Sequence, residues 1–184
     1  RLSPDGRQVA FEGAYDGPSE IYLMPVAGGA PKRLTYEGGG VSIVGWLDDS
    51  HVLYTSTNLP GTIPYLLRSV DISTLTATDL PLADASTATL SGDGQTLFFT
   101  RFGLSMFSDN AVLYRGGRMA QLWRHDVGSD TEAVRLAADF GAPIRHPMWW
   151  DGRIYFVTDK TGSDNIWSMD ATGGDIRQHT QSDR

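Results

Sequence analysis

An all-β fold built from repeated antiparallel sheets is predicted by three observations. One phrase recurs: SPDGRQVAF at 3–11, SGDGQTLFF at 91–99 and WWDGRIYFV at 149–157. A second phrase follows it: EIYLMPVAGGAPKRLT (Glu20 to Thr35) matches NIWSMDATGGDIRQHT (Asn165 to Thr180) without a gap. No stretch sustains a 3.6-residue apolar period, and Ala133 to Phe140, the nearest, is too short to outweigh the repeat.

Each unit opens on an apolar run that ends in a polar turn, as Val41 to Leu47 followed by Asp48-Asp49-Ser50. Asp-Gly after such a run signals a hairpin, because both central residues of the tight turn must tolerate positive φ. The Asp of each turn serves as anchor: Asp5, Asp93 and Asp151. WLDDSHVLYT places Asp49 in the same role, with Ser50 where the glycine would stand. The first three anchors are about 44 residues apart and the last about 58, within the range of a repeat protein. A second strand follows: Val9-Ala10-Phe11, Leu97-Phe98-Phe99 or Ile154-Tyr155-Phe156. β-branched and aromatic residues there suit a packed, pleated surface. The third strand carries an aromatic residue, Tyr22, Trp123 or Trp167. A Gly-Gly or Gly-Ser turn leads to a fourth strand ending near Leu34, Leu80, Leu136 or His179. LWRHDVGSDTEAVRL (Leu122 to Leu136) repeats the second phrase with one extra residue, and LRSVDISTLTATDL (Leu67 to Leu80) is its faintest copy.

Four strands per unit of about 40 to 50 residues is the pattern of a β-propeller blade. A blade cannot bury its two faces alone; its neighbours do so, and one apolar pattern must therefore recur. The blades are expected over 1–40, 41–83, 84–140 and 141–184. The first strand of blade one would fall before Arg1. Four blades are read as part of a larger ring, and the absence of an initiator Met agrees with a longer parent polypeptide. Exposed edges and faces at the two ends predict association.

Composition excludes several classes of function. The chain has 184 residues and net charge −7, with no cysteine. An acidic balance argues against a nucleic-acid groove, which needs clustered Lys and Arg. No apolar run is long enough to span a membrane. Without cysteine there is no disulfide or thiolate metal site, and the compartment stays open between cytoplasm and periplasm.

No catalytic, cofactor or metal residue is assigned. Gly103-Leu104-Ser105-Met106-Phe107 lacks the final glycine and the helix of a nucleophile elbow, so Ser105 is read as a loop serine. His51, His125, His146 and His179 are read as scattered over different blades, with no metal-ligand spacing; His146, before Pro147, is expected as a satisfied polar residue on an inner strand. Asp159-x-x-Gly162-x-Asp164-Asn165 offers oxygen ligands but not the alternating pattern or terminal Glu of a calcium loop. Its counterpart, Asp16 to Glu20, favours a turn built on Asp and Gly. Gly38-Gly39-Gly40 lacks the Lys-Ser/Thr of a phosphate loop, and Arg115-Gly116-Gly117 is a single RGG on an acidic chain. Trp149 and Trp150 point to opposite strand faces: one is expected at a blade interface, the other in core packing or on a wet surface suited to peptide contact. Phe102 to Gln121 is an insertion in the third blade, read either as a hairpin packed on a neighbour or as a partner-contact loop.

The repeat SPDG…VAF…DGPSEIY…GG…RLT is similar to the repeats of TolB-type propellers. The longer set SEIYLMPVAGGAPKRLTYEGG, VGWLDDSHVLY, GQTLFFTR, YRGG, LWRHD and PMWWDGRIYFVTDKTGSDNIWSMDATGGDIRQHT resembles the first propeller of tricorn-type serine proteases over nearly the whole chain. That resemblance implies a six-bladed ring, of which this chain covers about four blades. It further implies a seven-bladed propeller, a PDZ-like module and a catalytic region downstream, in a large homo-oligomer. The propellers of that family are thought to gate and channel peptides, so peptides and the rest of the parent protease are the implied partners. Two alternatives share the repeat: a TolB-type interaction propeller, and the propeller cap of a prolyl-oligopeptidase-like hydrolase.

Overall fold

The computed structural model describes residues 1–57, 65–102 and 113–183. They form two compact units, Arg1–Ala85 and Ser86–Arg184. The first unit holds a three-stranded sheet, β1 (Gln8–Gly13), β2 (Glu20–Pro25) and β3 (Lys32–Arg33), and a four-stranded sheet, β4 (Val41–Trp46), β5 (His51–Ser56), β6 (Leu66–Asp71) and β7 (Ala77–Asp79). The second unit holds two four-stranded sheets. One is β8 (Ala88–Leu90), β9 (Thr96–Arg101), β10 (Gln121–Asp126) and β11 (Val134–Arg135); the other is β12 (Arg145–Trp150), β13 (Arg153–Thr158), β14 (Asn165–Asp170) and β15 (Arg177–Gln178). We number these sheets 1 to 4. All are antiparallel meanders in chain order, and sheet 1 gains one bridge, Leu2 to Val9. The fourth strands stop at Arg33, Asp79, Arg135 and Gln178, one residue short of the expected ends. The next backbone N–H, at Leu34, Leu80, Leu136 or His179, still bonds back to the third strand.

The alternation of apolar residues explains why the sheets pair. In the first unit Ala10, Ile21, Leu23 and Leu34 of sheet 1 pack against Val41, Trp46, Val52, Tyr54 and Val70 of sheet 2. In the second, Phe98, Leu122 and Leu136 of sheet 3 meet Ile144, Ile154, Phe156 and Met169 of sheet 4. Side chains two apart share a strand face, so one buried face per strand is enough to build each core.

The anchor turns are of two kinds. Only Asp151-Gly152 is the tight two-residue turn, with φ of 46° and 76° and Trp150 paired to Arg153. At Asp5 and Asp93 only the following glycine, Gly6 or Gly94, has positive φ. There the Asp carboxylate accepts from the Ser3 or Ser91 hydroxyl and from the backbone N–H of Arg7 or Gln95. The same serine accepts the N–H of Gln8 or Thr96. These hydroxyl donations hold both carboxyls below their ordinary range, burial opposing slightly. In sheet 2 the expected anchor is displaced by one residue. Asp48, not Asp49, accepts the N–H groups of Ser50 and His51.

Ala133 to Phe140 contains no α-helix, only a single 3-10 turn, Ala138–Phe140, between the left-handed residues Ala137 and Gly141. β12 carries a bulge between Arg145 and Met148, with His146 at φ 51°. Pro147 fits there because β12 is the edge strand of sheet 4.

Candidate functional site

In a meander the β1–β2 connection and the chain leaving β3 lie at the same end of the sheet. In both units that end carries the buried polar clusters. In the first unit its centre is Glu20, fully buried at the start of β2. One carboxylate oxygen accepts from Arg33 Nη2 (2.9 Å) and Gly38 N (2.9 Å), the other from Thr35 Oγ1 (2.6 Å) and Glu37 N (3.0 Å). Burial pushes the Glu20 carboxyl upward, but the bonds from Gly38, Thr35, Glu37 and Arg33 outweigh it and hold the group below the usual range. Thr35 also takes the Ile21 N–H. The linker is therefore wrapped around one carboxylate, which places Glu37 against sheet 2. Glu37 accepts from Tyr54 Oη (2.7 Å), Ser56 Oγ (2.8 Å) and Arg68 Nη1 (2.6 Å), and Arg68 reaches on to Asp79 (2.7 Å). Burial, then Glu37, pushes the Tyr54 hydroxyl far up. Tyr36 stands between these pinned residues, 71% exposed, with the Arg33 guanidinium 4.3 Å from its ring centre.

Sheet 4 repeats the device without a charge. Asn165 occupies the Glu20 position, since Thr158 pairs Asn165 as Gly13 pairs Glu20. Its Oδ1 accepts from Thr180 Oγ1 (2.9 Å) and Ser182 N (2.7 Å), and its Nδ2 donates to the Ser182 carbonyl (3.3 Å). Thr180 takes the Ile166 N–H, as Thr35 takes that of Ile21.

The carboxylates weighed as calcium ligands are engaged by protein groups. Asp159 is buried and pairs with Arg115 Nη1 at 2.8 Å, while its second oxygen accepts the Leu113 N–H. Asp164 pairs with Arg145. Arg115, of the RGG, thus fastens the end of the insertion to sheet 4, and Ile144 N bonds to the Ala120 carbonyl beside it. Residues 103–112 of the insertion, with Ser105, lie outside the described residues.

The tryptophans part as adjacent strand residues must. Trp149 stacks on Phe98 across the sheet 3–sheet 4 contact, ring centres 5.3 Å apart and planes at 6°; Trp150 is 72% exposed. The histidines correct the expectation that each sits in its own blade, since His146 and His179 both belong to the sheet 4 region. His146 is exposed at the bulge. His51 lies 2.9 Å from Asp48. His179 makes a contact that sequence reading missed: its Nε2 is 2.7 Å from Ser168 Oγ, a Ser–His pair. Ser168 is fully buried, Arg153 Nε donates into the same hydroxyl at 3.0 Å, and the imidazole lies against Tyr155. A nucleophile needs open approach, and the buried Ser168 hydroxyl, already bonded by Arg153, has none, although His179 itself is exposed. The signal that finds it is strand adjacency, because His179 N bonds to Ile166 O beside Ser168.

Among the described residues no group of three His, Asp or Glu could hold a metal, and no helix is long and apolar enough to cross a membrane. The polar side chains at the sheet ends join strands and linkers to one another. They form structural clasps, and Tyr15, Tyr36 and Trp150 stand exposed among the described residues. The Tricorn_N family, the tricorn protease N-terminal beta propeller domain, matches residues 1–184. The chain belongs to this family. Tricorn protease homolog 1 of Streptomyces coelicolor is 34% identical over 185 residues, which cover 100% of this chain and 17% of that protein. The crystal structure of the tricorn protease superposes with a TM-score of 0.78 at 24% identity, covering 99% of this chain and 18% of that one. TolB from Acinetobacter baumannii gives 0.76 at 20% identity, covering 98% and 42%. The fold is that of propeller sheets, and the chain spans about one-sixth of the tricorn relative's length.

Proposed function

We propose that this segment of a tricorn-type protease is a non-catalytic scaffold that helps gate and channel peptides on their way to or from an active site elsewhere in the parent protein. The family match over residues 1–184 carries this reading. The use of the buried polar groups supports it: Glu20, Glu37, Asn165 and Asp159 hold linkers and loops in place. Peptides are then transit ligands, and the remaining parent chain and further copies of it are the partners. A TolB-type interaction module is the second reading, favoured by the TolB superposition.

Peptide hydrolysis by the full parent protein tests the proposal. Asp159→Asn weakens the Arg115 anchor of the insertion. The variant is expected to change KM for long peptides by about a few-fold. kcat for a short fluorogenic peptide stays unchanged. A collapse of kcat for short peptides would place chemistry in this segment and overturn the scaffold reading.

A further inference from the structure

We propose that Glu20 and Glu37 form an acid-sensitive clasp tying sheet 1 to sheet 2, whereas the equivalent clasp of sheet 4 is built to ignore pH. One device occurs twice in the chain. In both, a threonine at the end of the second repeated phrase bridges the first side chain of the third strand to the backbone N–H that follows it. In both, the outgoing linker bonds back to that first side chain.

The chemistry at that position differs. Around the Glu20 oxygens, Arg33 and the N–H groups of Glu37 and Gly38 can only donate, and Thr35 donates while it accepts the Ile21 N–H. An ionised carboxylate can accept all four. A protonated one loses the charge that strengthens the Arg33 bond and puts a hydroxyl among three fixed donors, so the arrangement weakens. Asn165 instead finds a carbonyl for its amide, Ser182 O, and donors for its oxygen. No side chain in that set is ionisable; of the ionisable groups beside it, Asp164 pairs with Arg145 and the His179 ring bonds Ser168.

The clasp has a second stage in series. Pinning Glu37 N to Glu20 aims the Glu37 carboxylate at Tyr54 and Ser56 of β5 and Arg68 of β6. The other charged groups nearby are engaged separately. Glu12 of β1 bonds Ser42 and the Ile43 N–H, Lys32 bonds the Ile72 carbonyl, and Asp79 of β7 pairs with Arg68. Protonating Glu20 therefore releases the linker from sheet 1, and with it the placement of Glu37. The sign follows from the Glu20 carboxyl lying below its ordinary value: its stabilisation is fully present above that value and is lost as pH falls through the lower folded one. At neutral pH the clasp is closed.

Hydrogen exchange on the full parent protein, corrected for the intrinsic pH dependence of exchange, reads both clasps at once. Between neutrality and about pH 3 the amides of Ile21, Glu37 and Gly38 are expected to lose protection about tenfold relative to those of Ile166 and Ser182. Glu20→Gln at neutral pH should reproduce that selective loss. If this variant does not fold, Arg33→Gln, which removes one of the four donors to Glu20, should move the loss of Gly38 protection to higher pH and spare Ser182. Equal loss at both clasps, no loss at either, or a Gly38 amide whose protection and pH dependence are unchanged in the variant would overturn the proposal.

Discussion

The two units join their sheets with different forces. Between sheets 1 and 2 the apolar seam is edged by a chain of charge, from Arg33 through Glu20, Glu37 and Arg68 to Asp79. Between sheets 3 and 4 the seam is aromatic. Phe98 stacks on Trp149, and Phe140 meets Phe156 and Trp167 edge-on, with centres 5.7 Å apart in each case. Lys160 caps that cluster, its ammonium 4.4 Å from the Phe140 ring centre and bonded to the Phe140 carbonyl. A repeat architecture demands that adjacent sheets cover each other and leaves the means open. Aromatic contacts hold by burial and ring geometry; ionic ones demand that every buried charge be matched.

The largest effect that breaks this comparison is expected from Phe98→Ala. Phe98 is fully buried and loses the Trp149 stack as well as its own volume. A cost of about 3–5 kcal/mol is expected, the range for large aromatic truncations in a core. Native-state hydrogen exchange should show it in β9, β10 and β13, while β1 and β2 keep their protection. Loss spread evenly over both units would mean that the aromatic seam is not local to the second.

Arg68→Ala attacks the ionic seam and should cost less, about 2–3 kcal/mol, because the arginine is partly solvated while its partner Glu37 is buried. Burial acts downward on the Arg68 guanidinium, but Tyr54, Glu37 and Asp79 together hold its affinity for the proton above the ordinary value. Removing it leaves the Glu37 carboxylate with hydroxyl partners alone among these contacts. The expected signature is a stability loss in β5 and β6 that Arg68→Met, which keeps most of the stem but not the charge, reproduces. A Met variant as stable as the native protein would assign the effect to lost packing of the arginine stem.

What the sequence disclosed, and what it hid, follows from the range of each interaction. Strand positions were legible because apolar alternation and the glycine turns are local: the second-strand triplets, the aromatic third strands and the fourth-strand ends all fall where the repeat places them, within a residue. The phrase match also aligned Glu20 with Asn165. It did not show that both are clasps, because their partners at Gly38 and Ser182 lie beyond the repeated phrase. The Ser168–His179 contact and the Arg115–Asp159 anchor needed the fold, since each pairs residues from different strands or loops. The turns were the clearest misreading. Asp-Gly predicts one geometry, yet an upstream serine at Ser3 and Ser91 converts it into a wider loop closed by side chains.

That misreading yields the smallest prediction, at the turn of sheet 2, where two adjacent aspartates compete for one role. Counting from the glycine selects Asp49, because Ser50 then stands in the glycine position. Counting from the strand selects Asp48, three residues before His51 as Asp5 is before Gln8 and Asp93 before Thr96. The structure follows the strand: a carboxylate that accepts the N–H groups two and three residues ahead closes the loop, as a side-chain cap does. His51 Nδ1 adds a further contact to Asp48 at 2.9 Å. Burial pushes the Asp48 carboxyl up, while the bonds from His51 and Ser50 prevail and lower it. Asp48→Ala is therefore expected to deprotect the Ser50 and His51 amides several-fold in hydrogen exchange, with a stability loss of about 0.5–1 kcal/mol typical of a lost cap. Asp49→Ala should leave both amides unchanged. If Asp49→Ala has the larger effect, the anchor of sheet 2 is set by its turn and not by its strand.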